Sequence, residues 1–210
     1  MPTRPYVLET CRGVKPSGCP QALALPEPFV AGLAALAEAA PVPPGLARLG
    51  REIKHHEVFR LALCACPNGC ARPQVADLGL VAAVRPVVAP EACTGCGACA
   101  DACPDAAVTI ADGVAAIDRD RCLGCGKCGQ ACPAGAIACS APALRVMVGG
   151  RLGRRPRLGL EPAGRFTPEG ALALAGRCLT AYGQAARPGL RFGDIAFPDG
   201  LPGFPAWMRP

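Results

Sequence analysis

Eight of the fifteen cysteines in this 210-residue chain fall into two copies of one spacing. The first copy is Cys93-x2-Cys96-x2-Cys99-x3-Cys103-Pro104; the second is Cys122-x2-Cys125-x2-Cys128-x3-Cys132-Pro133. Three thiolates at this spacing wrap one face of a cubane [4Fe–4S] cluster. The fourth cysteine of each run lies too far along the chain for the same cubane and ligates the other one. Cys93, Cys96, Cys99 and Cys132 are thus assigned to one cluster, and Cys122, Cys125, Cys128 and Cys103 to a second. The chemistry of such centres is electron transfer.

Zinc sites use two CxxC pairs or mix Cys with His, whereas each run here is a triplet plus one with no His nearby. A disulfide scaffold needs an oxidising compartment and a signal peptide. The start, Met1-Pro2-Thr3-Arg4, has no apolar segment of that kind, so the expected location is the cytoplasm. Formal net charge is +6, and hydrophobic residues make up 51% of the chain with aromatics at only 4%. The most apolar window, residues 29–40, is short, carries Glu38 and stops at Pro41, so no membrane span is expected.

The two runs belong to the bacterial ferredoxin pattern, which begins near Pro90 and ends near Cys139. Within it, residues 105–110 and 134–138 each read as a turn leading into a strand, with a further strand at 114–117. Small residues between the ligands, Gly95, Gly97, Ala98, Gly124 and Gly126, let backbone amides approach the sulfurs. Before this segment, a helix is predicted over 28–40 from Phe29, Leu33, Leu36 and Ala40, with Pro28 in its first turn. Residues 41–45 break the chain, and 58–63 read as a strand running into cysteines. After it, 143–148 read as a strand and 169–186 as a helix, with Thr167 as N-cap and Pro168 at N1. A strand and a helix on each side predict one α+β domain (1–89 and 140–210) interrupted by a βαβ-type dicluster ferredoxin module (90–139).

Four further cysteines group differently. Cys66-Pro67-Asn68-Gly69-Cys70 is followed by Ala71-Arg72-Pro73 and by Asp77-Leu78-Gly79-Leu80-Val81, and Cys11 and Cys19 lie upstream. Here the chain resembles the siroheme-dependent sulfite and nitrite reductases, which hold one [4Fe–4S] cluster with a C-x5-C pair and a later C-x3-C pair. The segment Val148-Gly149-Gly150-Arg151-Leu152-Gly153-Arg154-Arg155-Pro156 is similar to the family's Gly-Gly-Lys-x-Gly stretch. The resemblance implies a third cluster on Cys11, Cys19, Cys66 and Cys70, with Cys70 shared between that cluster and the iron of a siroheme. It also implies sulfite or nitrite as the anion reduced. The first pair departs from the family, being Cys11-x7-Cys19. Only ten residues precede Cys11, of which Arg4 is basic. The family's N-terminal half-domain is therefore expected to be absent, and the substrate side of a siroheme pocket to be missing or supplied by a partner subunit.

Cys64, Cys139 and Cys178 read as buried thiols. His55 and His56 read as a solvated loop ahead of a strand, with proton donation as the rival role. The basic group Arg151, Arg154, Arg155 and Arg157 lacks interleaved aromatics, which argues against nucleic acid. Two readings of it stay open: arginines facing siroheme carboxylates or an anion (Arg151, Arg154, Arg155), or a solvated face that docks an acidic electron donor protein. Three functions are weighed. One is a redox enzyme or subunit of the siroheme reductase type. The second is a siroheme-free electron carrier with the same cluster domain. The third is a cluster-stabilised scaffold, disfavoured because a purely structural role needs one metal site and not a relay.

Overall fold

The computed structural model describes residues 5–198, 200 and 205–208; Arg4 lies outside the described residues. In chain order the strands are β1 (Tyr6–Thr10), β2 (Phe59–Cys64), β3 (Leu78–Ala83), β4 (Pro86–Val88), β5 (Val108–Ala111), β6 (Val114–Ile117), β7 (Ile137–Cys139) and β8 (Ala143–Val148). The α-helices are α1 (Glu27–Ala39), α2 (Pro44–Ala47), α3 (Ala98–Asp101), α4 (Lys127–Ala131), α5 (Pro168–Ala185) and α6 (Phe192–Ala196). The chain divides into two compact units, one running to Ala82 and resuming at Leu144, the other spanning Ala83–Ala143. Among the described residues no helix is long and apolar enough to cross a membrane.

The first unit is built on a four-stranded sheet in the order β1-β2-β3-β8. Strands β1, β2 and β3 are parallel, with Tyr6 beside Phe59 and Leu61 beside Leu78. All six residues of β3 are buried, the continuous apolar run expected of a strand covered on both faces. Helices α1 and α5 pack on each other and give the core Phe29, Leu33, Leu174, Cys178 and Tyr182, alongside Phe59, Leu61, Leu80 and Val146 from the sheet. Thr167 caps α5 as predicted, its hydroxyl accepting the Gly170 N–H at 3.1 Å. Strand β8 matches its predicted limits, and α1, α5 and β2 fall one residue from theirs. The buried face of α1 is Phe29, Leu33 and Ala37. Leu36 and Ala40 only flank it, because the 3.6-residue period carries the stripe from Leu33 to Ala37.

Two buried acids brace this unit. Glu57 accepts both Arg51 Nη atoms, at 2.9 and 2.7 Å, and the Lys54 N–H at 2.9 Å. The hydrogen bonds from Arg51 hold its carboxyl down at about 2. Asp77 accepts the Arg60 N–H at 2.9 Å, and burial pushes its pKa up to about 6.

The second unit runs β4-α3-β5 and then β6-α4-β7, so each half has strand–helix–strand order. The strands of one half do not pair with each other. Strand β4 pairs antiparallel with β7, and β5 antiparallel with β6, so each two-stranded sheet takes one strand from each half. Asp112 (φ 51°) and Gly113 (φ 76°) turn β5 into β6 with positive φ at both positions, as a type I′ hairpin requires.

Candidate metal centres

The two cysteine runs occupy equivalent places in the second unit. Gly97 (φ 83°) and Gly126 (φ 78°) sit in left-handed backbone immediately before α3 and α4. Each short helix then carries the third cysteine of its run, Cys99 or Cys128, into the buried interior. The fourth cysteines are matched too: the Ala107 N–H donates to Cys103 Sγ and the Ala136 N–H to Cys132 Sγ, both at 3.2 Å. The Ala115 N–H reaches Cys93 Sγ at 3.4 Å. Such N–H···S bonds tune any cluster that the sulfur holds. A Cβ at Gly95 (φ 66°) would stand 2.6 Å from the Gly113 carbonyl oxygen, so only glycine lets these segments close.

The Cys99 thiol is pushed up by burial and then by Cys132 and Cys93, so the fourth cysteine of the second run stands within the field of the first triplet. Burial lifts Cys128 to about 11, with Cys139, Cys122 and Cys125 adding to it. Cys139, read from the sequence as a buried thiol, is instead exposed on β7. It lies beside the second triplet, within the field of Cys125 and Cys122. Ile137, two residues earlier on the same face, is buried, and Cys139 at the end of the strand is not. Cys178 is fully buried in the core of the first unit, and burial pushes it to about 12.

A second group of sulfurs gathers where β1 and β2 end. Cys11 follows β1, and its amide donates to the Leu63 carbonyl at 3.0 Å. Its sulfur accepts the Ala65 N–H at 3.3 Å. The loop carrying Cys19 is tied to the same place by the Leu23 N–H on the Ala65 carbonyl at 2.8 Å. Gly13 packs at the centre: a Cβ there would meet the Ala22 and Ala65 Cβ atoms at 3.0 Å and that of Cys19 at 3.5 Å. Cys66 and Cys70 bracket a turn closed through Gly69 (φ 64°). Burial raises the Cys66 thiol, and Cys11, Cys70 and Cys19 raise it further, so Cys66 stands within the field of the other three. Cys11 and Cys66 are buried, Cys19 is half-buried and Cys70 is exposed.

Cys64 joins this nest. Its sulfur accepts the Ala71 N–H at 3.3 Å, and its thiol is pushed to about 12 by burial, with Cys11 and Cys70 adding to the shift. Strand alternation puts Cys64 and Cys66, two residues apart, on one face. The strand ends at Cys64, and the chain bends back over its sulfur.

Both groups suit iron–sulfur clusters. Thiols crowded so that each opposes the ionisation of the next need a compensating cation before all become thiolates. Among the described residues no three His, Cys, Asp or Glu side chains converge on one metal-ion position. A cubane binds its ligands through separate irons and spaces them more widely than one tetrahedral ion does.

The structure does not bring Arg151, Arg154 and Arg155 to Cys70. They line a hollow of about 550 Å³ together with His55, His56, Arg60, Asp77 and Arg191. Arg60 and Asp77 stand where β2 and β3 begin, whereas the cysteine nest lies where β2 ends. Four residues of strand, roughly 13 Å at about 3.3 Å each, separate Arg60 from Cys64. Both histidines belong to this hollow, and burial pulls the His56 pKa down. Gly149 and Gly150 have packing roles: a Cβ on Gly150 would lie 2.6 and 2.7 Å from the Gln74 and Ala76 carbonyl oxygens.

Residues 92–136 match the family described as 4Fe-4S dicluster domain. A 52-residue stretch is 48% identical to the Coenzyme F420-dependent sulfite reductase of Methanocaldococcus jannaschii, covering 25% of this chain and 8% of that protein. Another match, 35% identical over 66 residues, is to one of the subunits of the anaerobic sulfite reductase of Salmonella typhimurium, covering 30% of this chain and 20% of that one. The matches therefore span a small part of either curated relative. Among solved structures, the crystal structure of dissimilatory sulfite reductase I (DsrI) aligns with 92% of this chain and 49% of its own, at TM-score 0.59 and 15% identity. That likeness establishes a shared α+β fold.

Proposed function

We propose, from the premise that this chain is a 4Fe–4S dicluster protein related to the sulfite reductases, that it carries three [4Fe–4S] clusters and serves a siroheme-type reduction of sulfite or nitrite. In this reading the dicluster unit receives electrons, with Cys93, Cys96, Cys99 and Cys132 on one cluster and Cys122, Cys125, Cys128 and Cys103 on the other. Cys11, Cys19, Cys66 and Cys70 hold the third. The observation that carries the proposal is the meeting of those last four cysteines at one end of the parallel sheet, from loops 54 residues apart at Cys11 and Ala65.

Cys70 is the exposed member of the four, so its sulfur has an open side on which a second group can be held. Siroheme, when bound, supplies the iron at which the anion is reduced. The Ala65 amide keeps Cys11 in position and offsets its negative charge, and the Gly69 turn fixes the spacing of Cys66 and Cys70. An electron donor protein or a partner subunit delivers the electrons, in keeping with the reductase subunit among the relatives.

One observation favours a second reading, a siroheme-free electron carrier. The arginines expected to face siroheme carboxylates line a hollow at the opposite end of the sheet. Anaerobic purification with native partners, followed by an absorption spectrum, separates the two. A siroheme Soret band with a long-wavelength band supports the reductase reading, and cluster absorption alone supports the carrier. Iron near 12 atoms per chain, four for each of three clusters, is expected on either. A reproducible value near 8 after full reconstitution would remove the third cluster from both, since two cubanes account for that figure.

A further inference from the structure

The hollow at the start of β2 and β3 takes no part in the proposed electron path, yet it is built for charge. Five guanidinium groups line it: Arg60, Arg151, Arg154, Arg155 and Arg191. Three of these face a carboxylate. Arg60 pairs with Glu9 at 2.7 Å and Arg151 with Asp194 at 3.2 Å, while Arg191 lies within the field of buried Asp77. Among the described residues Arg154 and Arg155 have no carboxylate partner, which leaves two positive charges uncompensated in one concave site.

The walls are fixed by bonds that do not involve those two side chains. The Arg151 and Arg157 backbones exchange N–H···O bonds, both 2.9 Å, closing the hairpin that presents residues 152–156. The Arg157 guanidinium clamps the Gly149 carbonyl at 3.0 and 3.2 Å. Arg151 Nε donates to the Arg155 carbonyl at 3.0 Å, and Arg191 Nη1 to the His56 carbonyl at 2.8 Å. A site whose backbone is already held loses less conformational freedom when it binds. Planar guanidinium forks match the oxygens of a tetrahedral oxyanion, and charge-assisted bonds of this type are the stronger class. The volume, about 550 Å³, exceeds that of a bare oxyanion and leaves room for an attached organic group against Val75 and Leu152.

We propose that this hollow binds a tetrahedral dianion of the sulfate or phosphate class, either free or as the end group of a phosphate ester. Arg154 and Arg155 supply the charge, and His55, His56 and the Gly150–Gly153 backbone shape the wall. The site stands apart from the cysteine nest, so the proposal does not depend on any cluster or on siroheme.

The test is calorimetric titration of the full chain with sulfate, inorganic phosphate and glycerol phosphate at constant ionic strength, with chloride as balancing salt. One saturable site per chain is expected. Arg154→Gln with Arg155→Gln should weaken it at least tenfold, as the loss of two charge-assisted contacts requires. Arg48→Gln with Arg121→Gln, two exposed arginines elsewhere, should leave it unchanged. Tighter binding of glycerol phosphate than of inorganic phosphate identifies an ester site, and equal binding identifies a free-anion site. Absence of saturable binding, or undiminished binding in the Arg154/Arg155 variant with its circular dichroism intact, overturns the proposal and makes this a solvated face. Binding only of an acidic partner protein, with none of the three anions bound, overturns it as well.

Discussion

The backbone N–H of Ala65 donates to the Cys11 sulfur across 3.3 Å, joining the ends of two parallel strands 54 residues apart. Register explains why they meet. Thr10 stands beside Leu63, so the next residue of each strand emerges at the same edge, and there the two cysteine pairs converge. The proposed third-cluster site is thus a product of sheet topology, whereas the dicluster sites are products of local spacing.

That difference predicts separability. Cys125→Ser should damage one cluster of the second unit and leave the third, whose proposed ligands all belong to the first unit. Cys70→Ser should do the reverse, removing about four irons per chain while the dicluster signals remain reducible by dithionite. Iron analysis and electron paramagnetic resonance on both variants give the answer. Loss of all clusters in a folded Cys125→Ser protein would contradict independent sites.

Cys64 makes a sharper case. The sequence reads it as a buried thiol, and in the structure its sulfur accepts the Ala71 N–H and stands within the field of Cys11 and Cys70. Cys64→Ala removes a polarisable neighbour and frees that amide. The proposed third cluster should keep its iron and shift its potential by about 40 mV, the one-electron equivalent of a ~1 kcal/mol hydrogen-bond effect. A redox titration that superposes on the wild type would show that Cys64 only fills space.

The ferredoxin-like segment is legible because its ligands and turns are consecutive, and β6, β8, α1 and α5 because their periods and caps are local. β1 is not. Tyr6–Thr10 is five residues without a turn signal, and it becomes a strand by pairing with β2, far along the chain. The place of the arginine cluster is hidden for a related reason. Sequence proximity to Gly149-Gly150 suggests a cofactor contact. The close approach of Gly150 to Gln74 and Ala76 instead anchors that segment where β3 begins, away from the cysteines.

Gly150 itself is testable. Its missing Cβ is what allows two backbone carbonyl oxygens within 2.7 Å of that position, and neither carbonyl belongs to a flexible side chain. Gly150→Ala should destabilise the first unit by roughly 2 kcal/mol, the scale of an overpacked core site. Thermal unfolding followed by circular dichroism should show it. An unchanged midpoint would mean that the 74–76 segment moves aside freely.

Asp77 gives the pH dependence. Its carboxyl is buried beneath Arg60 and Arg191, and burial raises its pKa from 3.8 to about 6. A carboxyl raised in the folded state binds its proton more tightly there than in the unfolded chain. Folding therefore suffers no penalty from it below pH 4, loses stability as pH climbs from about 4 to 6, and carries the full cost above. At 1.36 kcal/mol per unit that cost is about 3 kcal/mol. Asp77→Asn keeps a carbonyl to accept the Arg60 N–H and removes the charge. The variant should be more stable than wild type at pH 7, and the gap should close as pH falls to 4. Unfolding midpoints for both proteins between pH 4 and 7.5 measure it. A variant less stable at pH 7, or a gap of constant size across the range, would mean that the Arg60 and Arg191 charges already hold Asp77 ionised at no cost.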